Sequence, residues 1–109
     1  MTGFVLTNQA LSDLKVIGIY TQNAWGKRQR DRYLSALDKA FHALAKDHLK
    51  GRDCGEIRDG YRKYQVSKHI IFYHEIDASL IEIVRILHER MDIESRLADG
   101  RMTDFRKSS

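Results

Sequence analysis

Residues 80–97 read LIEIVRILHERMDIESRL, and no other stretch restricts the fold as much. A run of β-branched and aliphatic residues passes, with no turn residue between, into a cluster of charge: Arg85, His88, Glu89, Arg90 and Asp92. So apolar a run reads as a strand that other elements must cover, while its charged exit must stand where the core ends. With 109 residues the chain has room for one modest core. The rest of the sequence therefore has to supply the cover.

Gly3 to Thr7 alternates weakly and reads as a lone strand, and Asn8 is placed to cap the helix that follows. From Gln9 the series Leu11, Leu14, Ile17, Thr21 and Trp25 advances by three or four residues, as one helical face does, with Val16, Ile19 and Tyr20 widening it. Gly26 is a C-cap or a hinge. Lys27 to His48 forms a second helix, with Leu34, Leu37, Phe41 and Leu44 on one side. Two helices joined at a glycine make an αα-hairpin whose apolar stripes can pack on each other and on a sheet.

Lys50 to Gly60 changes character, and Gly51, Gly55 and Gly60 with Asp53 and Asp59 mark it as a loop. Tyr61 to Lys68 alternates, with Tyr64 and Val66 on one face and Lys63 and Gln65 on the other. His69 to Ile76 is nearly continuous Ile, Phe and Tyr and suits a central strand covered on both faces. Asp77-Ala78-Ser79 turns the chain into Leu80 to His88. Ile93 to Leu97 reads as a short C-terminal helix, and residues 99–109 as a flexible tail. The expected fold is α+β: an N-terminal strand, a helical hairpin packed on one face, and a three-stranded antiparallel meander, in a single domain over residues 1–98.

Composition removes several function classes. The charged fraction of 31% beside a sizeable apolar fraction fits a globular protein, and no apolar run reaches the length of a membrane span. The N-terminus lacks the basic and apolar regions of a signal peptide. A single cysteine, Cys54, excludes an internal disulfide and a multi-cysteine zinc site, so a reducing cytoplasm is the expected compartment. The net charge of +4 fits an acidic protein partner and a nucleic acid about equally.

Among the titratable residues, Arg58, Arg62, Lys63, Lys68, Arg85 and Arg90 gather around the last strands, and most of them read as a solvated sheet face. Arg85 stands apart because it lies between Val84 and Ile86, where an unpaired guanidinium is costly. It either pairs with a carboxylate such as Glu82 or Glu75 or belongs to a functional surface. His88, Glu89 and Arg90 invite an acid–base reading, since a histidine titrates near neutral pH and an arginine can stabilise a phosphate. His88 and Arg90 share a face only where the strand persists through them. The other histidines, His42, His48, His69 and His74, have no ligand spacing, and Cys54 has no base beside it, so neither a metal nor a nucleophile is expected. The loop lacks the Gly-Lys-Ser/Thr ending of a phosphate-binding loop.

Three segments resemble the ParE family of toxins, within the ParE/RelE toxin–antitoxin superfamily, over about residues 3–98. The first is Ala10-Leu11-Ser12-Asp13-Leu14, followed by Ile19-Tyr20 and Trp25-Gly26. The second is Gly51-Arg52, leading to Ile57-Arg58 and Gly60-Tyr61-Arg62-Lys63-Tyr64. The third and most specific is Ile83-Val84-Arg85-Ile86-Leu87-His88-Glu89-Arg90-Met91-Asp92.

That resemblance implies a toxin that needs no cofactor, blocks DNA gyrase by binding and stalls it on cleaved DNA. It also implies a hetero-oligomer with a ParD-like antitoxin, which contacts operator DNA on behalf of the pair. Arg85, His88, Glu89, Arg90, Met91 and Asp92 are then the target-facing candidates. The antitoxin-facing candidates are Leu14, Ile17, Tyr20, Tyr33, Leu37, Arg58, Arg62 and Tyr64. The sister branch resembling RelE cuts messenger RNA on the ribosome. Arg90 matches one of its elements, but residues 91–101 hold no tyrosine, so a ribonuclease is the alternative rather than the expectation.

Overall fold

A computed structural model describes residues 3–90. The elements run β1 (Gly3–Leu6), α1 (Asn8–Trp25), α2 (Lys27–Lys46), β2 (Arg52–Asp53), β3 (Tyr61–Val66), β4 (His69–Asp77) and β5 (Leu80–His88). The α+β architecture is the one expected, with the helical hairpin ahead of the meander. The sheet, however, has five strands, in the order β1-β5-β4-β3-β2. The first strand is therefore not alone, because Gly3–Leu6 pairs in parallel with Leu80–Ile83 of β5. Arg52 and Asp53, expected in a loop, pair antiparallel with β3. The expected helix at Ile93–Leu97 and the expected tail lie outside the described residues.

Local chemistry accounts for the other departures. Thr7, not Asn8, caps α1: its Oγ1 accepts from the amide of Ala10 at 3.0 Å and donates to the carbonyl of Val84 at 2.8 Å. One hydroxyl thus starts the helix and ties it to β5. Helix α2 ends at Lys46 because Asp47 turns extended, and His48 leaves the helix to meet Glu75 at 2.6 Å. Gly26, at φ +96°, takes the left-handed conformation that lets α1 stop and α2 start one residue later.

The sheet is covered on both sides. Ile71, Tyr73, Ile81, Ile83 and Ile86 face Ala10, Ile17, Leu37, Phe41 and Leu44 of the helices. On the other face Phe72, Val84 and Leu87 pack with Cys54, Ile57 and Tyr61, so the segment between β2 and β3 serves as a second layer. An extra residue in β5, Val84, lies between the pairs Phe72–Arg85 and Tyr73–Ile83. This bulge resets the alternation, so that Ile81, Ile83 and Ile86 can all face the helices.

Gly51 pins the second layer. Its amide donates to the Tyr73 hydroxyl at 2.9 Å, that hydroxyl donates to the carbonyl of His48 at 2.8 Å, and Arg62 Nη2 donates to the Gly51 carbonyl at 2.7 Å. A Cβ at Gly51 would lie 2.5 Å from the Tyr73 hydroxyl and 2.7 Å from the Lys63 carbonyl. Gly51→Ala is therefore expected to cost about 1–3 kcal/mol, read as a lower urea midpoint. An unchanged midpoint would mean that this pinning contributes nothing.

Candidate functional site

Helix α1 carries more apolar surface than the fold uses. Ile17 and Thr21 are buried and Leu14 is half-buried. Val16, Ile19, Tyr20 and Trp25 are 63, 62, 68 and 73% exposed, and Leu11 is also exposed. Val16, Ile19 and Tyr20, expected to widen the buried face, instead form an outward one. A shallow furrow beside it runs between the hairpin helices, lined by Leu14, Ile19 and Leu34 with Lys15 and the ion-paired Arg30 and Asp31.

At one end of the hairpin a cleft of about 680 Å³ opens toward the exit of β5. Tyr20 and Trp25 line it from α1 and Tyr33 from α2. Lys68 and His69 enter from the turn between β3 and β4, and His88 and Arg90 from the end of β5. The chain holds Arg90 there by backbone geometry. The amide of Glu89 donates to the Lys68 carbonyl at 2.8 Å, and the amide of Arg90 donates to His88 Nδ1 at 3.0 Å. His88 and Arg90 thus line one cleft even though the strand ends at His88. The Glu89 carboxylate accepts from Gln65 Nε2 at 2.6 Å and is not part of the cleft wall.

The two imidazoles of the cleft meet edge to face, 5.3 Å between centroids. Tyr33 donates to the Val66 carbonyl at 3.2 Å, and its hydroxyl oxygen lies 2.6 Å from His69 Nδ1. The bond from the Arg90 amide assigns the proton of neutral His88 to Nε2.

Burial, and then the neighbouring His88, hold His69 below its ordinary value, while Asp13 and Glu89 act in the opposite direction. The folded protein accordingly prefers His69 neutral, whereas the unfolded chain takes up its proton near about pH 6.5. This contribution to stability is complete above that value and is lost as pH falls below it. Thermal stability should fall between about pH 7 and about pH 5, and His69→Gln should flatten the fall. An equally steep decline in the variant would assign the effect elsewhere.

Arg85 is resolved as a structural residue. It is 9% exposed, and its guanidinium bonds both oxygens of Asp13 in α1, at 2.8 and 2.9 Å. Asp13 also accepts the amide of Ile86 at 2.9 Å. Neither Glu82 nor Glu75 is its partner: Glu82 meets His74 at 2.8 Å, and Glu75 meets His48. Arg85, a target-facing candidate from sequence, is thus held inside the fold by Asp13. The signal for Asp13 was available in the sequence, since it is the one acid of α1 and shares a helical face with Ala10 and Ile17.

The antitoxin-facing candidates divide. Leu37 is 0% exposed and Ile17 is buried, so the core rather than a partner holds both. Arg62 is spent on the Gly51 carbonyl, and Arg58 sits in the segment covering the opposite sheet face. Leu14, Tyr20, Tyr33 and Tyr64 remain on the helical side, with Lys50 5.9 Å above the Tyr64 ring. Met91 and Asp92 lie outside the described residues. From sequence Lys68 stood only among the cations of a sheet face, His69 among histidines without ligand spacing and Trp25 in a helical stripe, because only the fold brings them beside Arg90.

Cys54 is buried, and burial, with the charge of Glu56 adding, pushes its thiol up to about 11, so it is no nucleophile. Among the described residues no three metal-ligating side chains gather, and no helix is long and apolar enough to cross a membrane.

Comparison with known proteins agrees over the same span. Residues 4–93 match the family described as the ParE toxin of the type II toxin–antitoxin system, parDE. The chain is 37% identical over 94 residues to toxin ParE1 of Mycobacterium tuberculosis, covering 86% of this chain and 96% of that one. It is 35% identical over 99 residues to toxin ParE of Escherichia coli, covering 91% and 96% respectively. A solved structure described as the chromosomal ParDE system of P. aeruginosa superposes with a TM-score of 0.68 at 17% identity, over 81% of this chain and 96% of that one, and so shares the fold. The chain belongs to the ParE toxin family of type II toxin–antitoxin systems.

Proposed function

We propose that this protein inhibits DNA gyrase by binding, without hydrolytic chemistry of its own, and that a ParD-like antitoxin neutralises it in a hetero-oligomer. Operator DNA is then reached only through the antitoxin. The observation that carries this reading is the family match, which runs unbroken from β1 through the exit of β5. The target-facing surface is His88 with Arg90, flanked by Glu89 and continued by Met91 and Asp92. Cationic groups left without an acidic partner among the described residues support that placement, since Lys68 and Arg90 appear in none of the ion pairs there. The antitoxin is assigned to the outward face of α1 and the furrow beside it, where apolar anchors stand at helical spacing.

The test is a gyrase supercoiling and cleavage assay with purified protein, with and without excess antitoxin. Linear, cleaved plasmid should accumulate, and the antitoxin should prevent it. Normal supercoiling with no cleaved product would overturn the gyrase target.

One observation favours a second reading. The cleft places two imidazoles, His69 and His88, beside Arg90, groups a metal-independent ribonuclease can use. Cleavage of messenger RNA in a translation extract would establish that reading in place of the first.

A further inference from the structure

We propose that the cleft at the β5 exit binds an unpaired nucleotide, its base stacked on Trp25 and Tyr20 and its phosphate held by Lys68, His88 and Arg90. This deepens the placement of the target-facing surface at the β5 exit and rests on it for location only.

Two independent features meet in this cleft. The first is aromatic. Tyr20 and Trp25 line the cleft from α1 and stand 68 and 73% exposed. Large rings left in water at the mouth of a cleft offer a π-face to any base, and stacking of this kind is largely indifferent to sequence. The second is electrostatic. Lys68 and Arg90 bring two cations, the Arg90 amide on His88 Nδ1 leaves the Nε2–H of neutral His88 as a donor, and among the described residues no acid lines the cleft. The nearest carboxylate in sequence, Glu89, is held by Gln65 outside the wall. Cations facing exposed rings, with no counter-ion among the described residues, make the arrangement that holds single-stranded nucleic acid. Within a duplex the base faces are already stacked on one another, so an unpaired nucleotide is the complementary form.

Trp25 is the one tryptophan of the chain, so its fluorescence reports this site directly. Titration of the full-length protein with a thymidylate pentamer should quench Trp25 saturably, and a duplex of matched length should quench it far less. In fluorescence anisotropy, Trp25→Ala should weaken binding of the labelled pentamer about tenfold or more. The Lys68→Ala/Arg90→Ala double variant should also weaken it and should lower the salt slope by about 0.7 for each cation removed. A uridylate pentamer run in parallel identifies the source: preference for either sugar supports the cleft and names DNA or RNA. Gyrase is absent from the measurement, so its outcome stands apart from that of the cleavage assay. Unquenched Trp25, equal binding by the double variant, or equal quenching by a poly-glutamate peptide would overturn the proposal. The last result would assign the cleft to an acidic protein instead.

Discussion

Asp13→Ala is expected to cost about 3–5 kcal/mol of folding stability, a large share of the roughly 5–15 kcal/mol a domain has in total. The side chain removed holds three donors at once: two from the buried guanidinium of Arg85 and the amide of Ile86. Water cannot replace it without reaching into the contact between α1 and β5. The guanidinium would be left buried without its counter-charge, which costs far more than the attraction it loses. Arg85→Met should be milder, because it removes the charge as well as the bond and keeps apolar volume in the strand. Urea unfolding of the two variants gives the ranking. If Arg85→Met proved the more damaging, the Asp13 carboxylate would be stabilised by something other than this pair.

Val16→Glu with Ile19→Glu should weaken antitoxin binding by about 100-fold or more, while the melting temperature and the growth arrest caused by the toxin alone stay near those of the parent. Both side chains stand outward on α1, neither lines the cleft, and surface changes of this kind ordinarily move stability by about 0.5 kcal/mol or less. A carboxylate there would be desolvated against whatever apolar anchor covers the helix. Cells expressing the double variant should therefore arrest even when the antitoxin is supplied. Full rescue by the antitoxin would place its main contacts elsewhere on the molecule.

Elements were more legible than their pairings. The period of three and four in α1 and α2 and the alternation of Tyr61 to Val66 follow from local chemistry, and the structure keeps them. The parallel pairing of Gly3–Leu6 with Leu80–Ile83 joins segments more than seventy residues apart, and nothing within four residues of sequence specifies a partner. The same distance hid the partner of Arg85, since Glu82 and Glu75 are near in sequence but Asp13 is near in space. The cost of a buried guanidinium was readable; for the residue that offsets it the sequence held only an indirect signal, an acid on the buried face of α1. On α1 the apolar pattern was correct but too wide. Periodicity records which residues are apolar, not how much of the arc the sheet can cover, and Val16, Ile19 and Tyr20 fall outside that arc. For the cleft, the charge at the end of β5 was visible in the sequence. Its aromatic wall was not, because Trp25 looked like the last residue of a buried stripe.

The position of β5 bears on how such a protein can come into being. This strand follows every other described element in the chain, yet it lies inside the sheet, bonded to β1 on one side and β4 on the other. During vectorial synthesis β1 waits with no edge to join, Asp13 has no guanidinium to hold, and Thr7 has no Val84 carbonyl to reach. Long-range pairing of this kind pays its loop-closure entropy before any contact rewards it. A nascent chain lacking this strand is thus a precursor whose core still lacks Ile81, Ile83 and Ile86. By the same logic, a chain ending before Leu80 should be inert alone and recoverable by fragment complementation with a peptide spanning residues 78–90.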